Sequence, residues 1–553
     1  RARLSPDRVF RLMGAVTILG PDGAVVPPSR RRMSDIGGRS FYDAASTVHQ
    51  DVAFWRPSNP SAQAALTYER DRMAARIHDL ARNDSWASVA VTRKVDSVIG
   101  SGWKLRATPN ARALGLESKA AAELAAQIET QWRLYKEDFE CCDAGQRDTI
   151  GLLQALAFRH YIGDGESLSV SYWIERGGDW STARQIIDPD RLSNPNLYVD
   201  TVSRRAGVDL GAHGEPLAYH IRSAHPGDSA VIGAFPWIWE KFDRKFPNGR
   251  WQVVHAFDRR RAGQVRGEPP LAPIVKKMRM LGRYDEAELQ AAVLNAVLAA
   301  FIKSGNDHDQ IAEAMNGSDE MTALQAQRID FYEKRPVRLP GAQINFLYPE
   351  DDFAFTQPAH PNTNFDAFYR VGLRNLAAVA GVTYEQLTGD FSQTTYSGFK
   401  GALAQVWQGF ISTKDGFAAR HERPHYENWL EEAIVRGRVQ LPKGAPEFRA
   451  ARLAYCDCSW IGPGRGAIEP VKEATAVGER LRHVSTFADE CAANGDDYLD
   501  VLDQKARERE EAIARGLDPN RIFDGAATSM KSTDDGDNDP PPGGKPIGRK
   551  EDK

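Results

Sequence analysis

The stretch Arg370–Phe410, RVGLRNLAAVAGVTYEQLTGDFSQTTYSGFKGALAQVWQGF, limits the possible folds more than any other, because it encodes two helices and the loop between them. Phe365, Phe368, Gly372, Leu376 and Val379 recur at helical spacing, and Gly381 stands where a left-handed C-terminal cap is expected. A second helical run starts after Thr394 and Thr395, either of which can accept a backbone hydrogen bond as N-cap. This run places Leu403, Trp407, Phe410 and Ile411 on one face. The spacing predicts a helix–loop–helix unit. The loop is rich in Gly, Thr and acid and holds no catalytic grouping, so the segment points to assembly rather than turnover.

These residues resemble the lambda-type portal proteins of tailed bacteriophages, whose members carry a similar LRxxAAxxGVxYExLTGDFSxxxYS segment before a long helix. Other blocks resemble the same family in the same order. They are Tyr42-Asp43-Ala44-Ala45, RDRMAARIHDLARNDSWASVAVTRKVDSVIGSGWKL, Gly163-Asp164-Gly165-Glu166, QIIDPDRLSNP, GVDLGAHGEPLAYHI, Val254-His255-Ala256-Phe257, GQVRGEPPLAPI and LPGAQINFLYPE. In the second block the resemblance implies an Arg-rich helix, an Arg-Asn turn and a Val-Ile-Gly-x-Gly strand. Two positions depart from the pattern: Lys400 stands where the family has Arg, and Gly398 where it has Ser. Ordered matches from about residue 40 to about 525, each in a suitable structural context, are much harder to meet by chance than one motif.

The resemblance implies an α+β portal fold with a mixed wing region, a helical stem, a small α/β clip and a helical C-terminal crown. It implies a homo-oligomeric ring, a dodecamer, around a channel at one capsid vertex, assembled in the host cytoplasm and carried in the virion. The implied partners are the terminase large subunit, major capsid and scaffold proteins, head–tail connector proteins and double-stranded DNA passing through the channel, with no membrane and no cofactor. The domain boundaries expected are a flexible arm at 1–40, a wing-like region at 41–300, a stem, clip and channel-lining region at 301–430, a wing return and crown at 431–526, and a disordered tail at 527–553. The loop Thr383–Tyr396, polar and Gly-containing between two helices, is the expected surface for the terminase motor or head-completion proteins.

Composition sets independent bounds. A chain of 553 residues with 42% apolar and 26% charged residues suits about two to four soluble domains. The net charge of −4, from 71 basic and 75 acidic residues, excludes a global basic excess that would grip nucleic acid tightly. A conduit through which DNA slides has the same requirement, because every phosphate contact adds drag. Five cysteines, as Cys141-Cys142, Cys456-x-Cys458 and Cys491, argue against a disulfide framework and for a reducing compartment, and adjacent Cys-Cys lacks the spacer of structural zinc sites. The most apolar run, Ala291–Ile302, is too short to span a bilayer and contains Asn295. The opening RARLSPDRVFRLMGAV is basic without a sustained apolar core and does not read as a secretion signal, and PPSRRRMSD after it reads as a solvated arm.

Periodicity predicts a helix over Leu66–Leu80 ending at Asn83-Asp84, and another over Glu117–Tyr135 with Leu124, Ile128, Trp132 and Tyr135 on one face. Between Glu166 and Phe257, LSVSYWIE, RQIIDP, LAYHIRS and WQVVHAF, bounded by Gly, Asp, Asn or Pro, predict antiparallel strands. A helix of about twenty residues from Arg283, roughly 30 Å long at ~1.5 Å per residue, aligns Leu289, Val293, Ala296 or Val297, and Ala300. Glu473–Phe487 and Asp497–Arg515 predict two charged, largely exposed helices. Trp55, Trp86, Trp103 and Trp407 suit core packing or subunit contact better than base stacking.

The catalytic candidates are weak on physical grounds. His421-Glu422-Arg423-Pro424-His425 matches H-E-x-x-H, but Pro424 between the histidines is expected to break or kink the turn and make the two rings diverge. Ser397 and Lys400 match S-x-x-K without the companion elements of acyl-transfer enzymes. Asp351-Asp352 and Asp496-Asp497 read as solvated loop charges. No G-x-x-x-x-G-K-[ST] phosphate loop occurs, so the energy for DNA movement is expected from a separate ATPase. No catalytic, cofactor-binding or metal-binding residue is therefore assigned. The other readings are a zinc-dependent hydrolase built on His421 and His425, and a minor capsid or scaffold protein without a channel.

Overall fold

The computed structural model describes residues 49–52, 54–233, 235–297, 301–304, 351–354, 365–465 and 470–518, with isolated positions elsewhere. The arm expected at 1–40 and the tail at 527–553 lie outside them. The chain divides into two compact units, Arg1–Ser61 and Ala62–Lys553. In the first, the Val52 N–H donates to the His49 carbonyl at 3.1 Å and the Trp55 N–H to the Val52 carbonyl at 3.1 Å, closing successive turns. Trp55 is exposed there, so of the two expected roles, core packing or subunit contact, it does not take the first.

The second unit is α+β. It opens with α1 (Ala62–Thr67), α2 (Arg70–Asn83) and α3 (Ser85–Val98), so the helix expected over Leu66–Leu80 is interrupted at Tyr68 and Glu69. Asp84 ends α2 and caps α3, accepting the Ala87 N–H at 2.8 Å. Val98-Ile99-Gly100, expected as strand, instead finishes α3, with the Ile99 N–H donating to the Val95 carbonyl at 2.8 Å. The strand follows as β1 (Lys104–Ala107). Then come α4 (Ala111–Leu114), α5 (Ser118–Glu137), α6 (Phe139–Cys142) and α7 (Ile150–Gly163). α5 buries the expected Leu124, Ile128, Trp132 and Tyr135.

The expected antiparallel region forms two sheets. β2 (Glu166–Trp173), β3 (Thr182–Ile187) and β8 (Val253–Phe257) make one, in the order β3-β2-β8. β4 (Arg204–Arg205), β5 (Val208–Leu210), β6 (Pro216–Arg222) and β7 (Trp239–Asp243) make the other in sequence order. A small apolar core links them through Leu168 and Val170 of β2, Tyr219 and Ile221 of β6, and Phe242 of β7. Alternation along β2 sends Ser169 and Ser171 to the opposite face.

α8 (Val275–Val297) follows, then the antiparallel pair β9 (Phe301–Ser304) and β10 (Asp351–Ala354). Asp351 and Asp352, expected in a loop, therefore lie in a strand. α9 (Phe365–Ala380) and α10 (Tyr384–Thr388) lead to α11 (Tyr396–Phe417), a π-helical turn (Ala418–Glu422) and α12 (Arg423–Val435). After α13 (Arg452–Tyr455), β11 (Cys458–Ile461) pairs with β1, Leu105 opposite Trp460, and closes distant parts of the chain into one body. The main core lies there: Trp132 meets Trp429 edge-on at 4.9 Å, and Trp103 packs on Phe417 at 6.1 Å. The last described elements are α14 (Pro470–His483), α15 (Phe487–Ala493) and α16 (Tyr498–Ala514), so one of the two predicted C-terminal helices is divided at Val484–Thr486. No helix among the described residues is long and apolar enough to cross a membrane.

Candidate functional site

The loop between α9 and α11 is built from its own polar groups. Gly381, at φ +71°, closes α9: its N–H donates to the Ala378 carbonyl at 3.3 Å, and the Val382 N–H reaches the Ala377 carbonyl at 3.0 Å. Thr383 and Gln386 form a reciprocal cap, the Gln386 N–H donating to Thr383 Oγ1 at 3.1 Å and the Thr383 N–H to Gln386 Oε1 at 3.0 Å. Gly389, at φ +70°, ends α10. Asp390 Oδ1 then accepts the Ser392 N–H at 3.0 Å, and the Thr394 hydroxyl donates to Glu385 Oε1 at 2.7 Å. Thr395, one of the two expected caps, starts α11 by accepting the Gly398 N–H at 3.3 Å. Burial alone would raise the Glu385 carboxyl, but the Thr394 hydroxyl and backbone donors leave it below its ordinary value. Phe391 remains exposed, its ring 5.2 Å from Phe399.

The two helices seat differently from the predicted stripes. α9 buries Leu373, Leu376, Ala377 and Ala380, whereas Phe368, expected on the core face, is exposed. On α11, Leu403 and Phe410 are buried and Trp407 packs against the core, but Ile411 is exposed. Lys94 of α3 lies with its ammonium 4.9 Å from the Phe410 ring, and burial lowers its pKa to about 8.

The far end of α11 is fixed by buried charge. The Arg184 guanidinium of β3 donates to both Glu422 oxygens at 2.9 and 3.0 Å and to the Ile150 carbonyl at 3.2 Å. Burial opposes the charge on Glu422, yet Arg184 and His421 hold its carboxyl well below the usual range. His425 meets Ser169 Oγ at 2.8 Å through Nε2 and Ser171 Oγ at 3.2 Å through Nδ1. Burial, then Arg184, holds it neutral. Two turns on, Glu432 accepts the Ser181 and Thr182 N–H groups at 2.7 and 2.8 Å.

Pro424 does not break this segment. The π turn, closed by the Arg423 N–H donating to the Ala418 carbonyl, gives the proline ring room where a regular turn would clash. Nor do the rings diverge, since the His421 and His425 centroids lie 5.2 Å apart. The groups of the motif are engaged by the core around them. Both nitrogens of His425 are engaged by serines, and the would-be general base Glu422 is fully buried and clamped by Arg184. The other candidates are equally ordinary: Lys400 lies 3.7 Å from Glu473, and Asp496 pairs with Lys104 at 3.0 Å. Asp497, expected to be solvated, is a buried cap of α16 that accepts the Leu499 N–H at 2.8 Å.

A second buried network lies at the Gly163–Glu166 block. Asp164 accepts from His78 Nε2 and His160 Nδ1, each at 2.7 Å. Burial opposes its charge, but the two imidazoles bring its pKa down to about 2. Glu166 collects His255 Nε2 at 3.0 Å, Arg266 Nε at 2.7 Å, the Gly267 N–H at 2.6 Å and Arg70 at 3.0 Å. Gly165, at φ +82°, must be glycine, because a Cβ would stand 2.3 Å from the Glu268 carbonyl carbon. Sequence reasoning missed Arg70, Arg184 and Arg266. The available signal was an acid inside an apolar run, which requires a buried cation from elsewhere. Among the described residues, Asp188, Asp190 and His225 come close enough together to hold a cation, but Arg70 already donates to Asp190 at 3.3 Å.

Residues 49–413 match the family described as phage portal protein, lambda family. The chain is 31% identical over 513 residues to portal protein B of Escherichia phage lambda, covering 91% of this chain and 94% of that protein. It is likewise 31% identical over 513 residues to the portal protein of Escherichia phage N15, with the same coverage. Among solved structures, a chain from the virion of a native gene transfer agent particle aligns at 13% identity with a TM-score of 0.44, covering 80% of this chain and 96% of that one.

Proposed function

We propose that this chain, which belongs to the lambda family of phage portal proteins, closes with copies of itself into a ring, a dodecamer, whose channel passes double-stranded DNA into and out of the capsid. The observation that carries this reading is the family match over residues 49–413. Heterologous contacts repeated around an axis generate such a ring. The ring sits at one vertex of the virion after assembly in the host cytoplasm and touches major capsid, scaffold and head–tail connector proteins. It performs no chemistry, and the work of translocation falls to the terminase.

The wing is assigned to 41–300, stem and clip to 301–430, and the wing return and crown to 431–526. Support comes from α8 and α9, which lie side by side with Tyr284 and Phe368 rings 5.3 Å apart, and from the pairing of β9 with β10. The loop Thr383–Tyr396 is proposed as the terminase-facing surface, since its caps present Asp390 and Phe391 on a fixed frame.

Negative-stain microscopy and native mass measurement of the purified chain test this reading. Rings with a hole wide enough for a duplex are expected, together with empty heads from phage lacking the chain. A permanent monomer and filled heads would overturn it. Deleting residues 389–394 should abolish terminase binding without abolishing rings, and normal binding would remove the loop assignment.

A further inference from the structure

β8 is the last strand of the sheet β3-β2-β8, so one of its sides is an edge. The Ser171 N–H donates to the Gln252 carbonyl at 2.7 Å. In that register Val254 and Ala256 bond to β2, and the main-chain groups of Val253, His255 and Phe257 point the other way. The Val253 N–H is used there, donating to the Arg244 carbonyl at 3.2 Å. The main-chain groups of His255 and Phe257 on that side have no partner among the described residues. His255 is partly exposed although its side chain is only 3% exposed, so what solvent reaches is its main chain.

A groove of about 470 Å³ opens along this edge. The second sheet forms its apolar side with Val208, Leu210 and Tyr219, and the π turn and the start of α12 form the other side with Arg420 and Arg423. Arg244 lines it at the Val253 end and Arg259 at the Phe257 end, so four arginines face a single lining carboxylate, Glu427. Glu427 is already shared. It accepts the Trp251 Nε1–H at 2.8 Å and lies 3.7 Å from Arg423 and 3.6 Å from Arg452. The nearby acids are engaged as well: Asp258 by Arg420 at 2.7 Å, Asp209 by Arg204 at 2.6 Å and His220 at 3.1 Å, and Glu215 by the His213 N–H at 2.9 Å. Asp243 and Lys245 flank Arg244 in the chain and offset one another. Arg244 and Arg259 have no carboxylate partner among the described residues.

We propose that this edge takes an extended acidic segment of a partner protein, added beside β8 as a fourth strand and alternating carboxylate with apolar side chains. Successive side chains of a strand point to opposite faces. One set lies on Val208, Leu210 and Tyr219, the other meets Arg420 and Arg423, and the main chain pairs with His255 and Phe257. The apolar side and the open edge favour a peptide over nucleic acid, since a sugar–phosphate backbone satisfies the arginines and leaves the other two features unused.

Fluorescence anisotropy of a labelled six-residue peptide alternating valine and glutamate, titrated with the full chain, tests this. Binding is expected, and Arg259→Glu and Arg423→Gln should each weaken it about tenfold with unchanged circular dichroism. N-methylating either the valine or the glutamate amides, but not both alike, should abolish binding, because only one edge of an added strand faces β8. Three results overturn the proposal: no peptide binding at millimolar concentration, equal binding by the two methylated peptides, or binding of a DNA duplex but not the peptide, lost in the same arginine variants.

Discussion

Around β2, β3 and α12, carboxylates lie out of reach of solvent, and each is met by donors from another element: Glu422 by Arg184, Glu432 by two backbone N–H groups of the Ser181–Thr182 strand entry, Glu166 by Arg70 and Arg266. Along α14, α15 and α16 the arrangement is different. α16 buries a single side chain, Ala512, while Leu499, Leu502 and Ile513 face outward, and its ties to the body are surface pairs such as Arg133–Asp500 at 2.8 Å. The first region fixes its geometry from within, since an unpaired buried charge costs far more than a misplaced surface one. The second has an apolar stripe that one copy of the chain does not cover.

The sharpest way to break this contrast is Arg184→Met, which leaves the buried Glu422 with His421 in place of its guanidinium partner and should cost about 3–5 kcal/mol in urea unfolding. A loss below about 1 kcal/mol would mean that the clamp does not organise the region. Next comes acid. With the Asp164 pKa at about 2 against 3.8 in the open chain, its contribution of about 2 kcal/mol is complete above pH 4 and fades as pH falls toward 2. His78, raised by Asp164, stabilises in the opposite sense, fully below pH 6.5 and decreasingly as pH rises through its folded value. Asp164→Asn should therefore flatten the melting temperature against pH at both ends, and an unchanged profile would exclude the clamp.

Thr383→Ala removes half of the reciprocal cap and should cost about 1 kcal/mol by thermal melting. Smallest should be removal of the chain from Tyr498 onward, within roughly 0.5 kcal/mol for the remaining body, because among the described residues it takes away exposed pairs, the Tyr498 ring beside Arg106 and one buried alanine. A body that melts without α16 would make the C-terminal helices as integral as the sheets and erase the comparison.

What the sequence revealed follows the same division. Caps and local periodicity were readable: Gly381, Thr395, the stripe of α5 and the four strands between 166 and 257 are fixed by neighbours a few residues away. β1 and β11 were not, because their pairing joins Leu105 to Trp460 and neither run is long enough to stand out alone. β7 was hidden by its mixed sequence, WEKFD, which shows no clean alternation. Phe368 misled because an aromatic at helical spacing looks like core whether its partner lies in the same chain or on another surface. At H-E-x-x-H, the proline's steric demand was legible, but the single π turn that accommodates it was not. That solution depends on Arg184, His421 and two serines of β2, none of them predictable from the local sequence.

α11, the π turn and α12 run on without interruption for 22, 5 and 13 residues, a strut of about 60 Å at ~1.5 Å per residue. One end begins at the Gly-Thr-rich turn, and the other is bolted through Glu432 to the entry of β3. A load applied at the tip meets continuous helix along this length up to the widened turn. The widened turn at 418–422 is the segment where such a load can be taken up, directly over the Arg184 clamp.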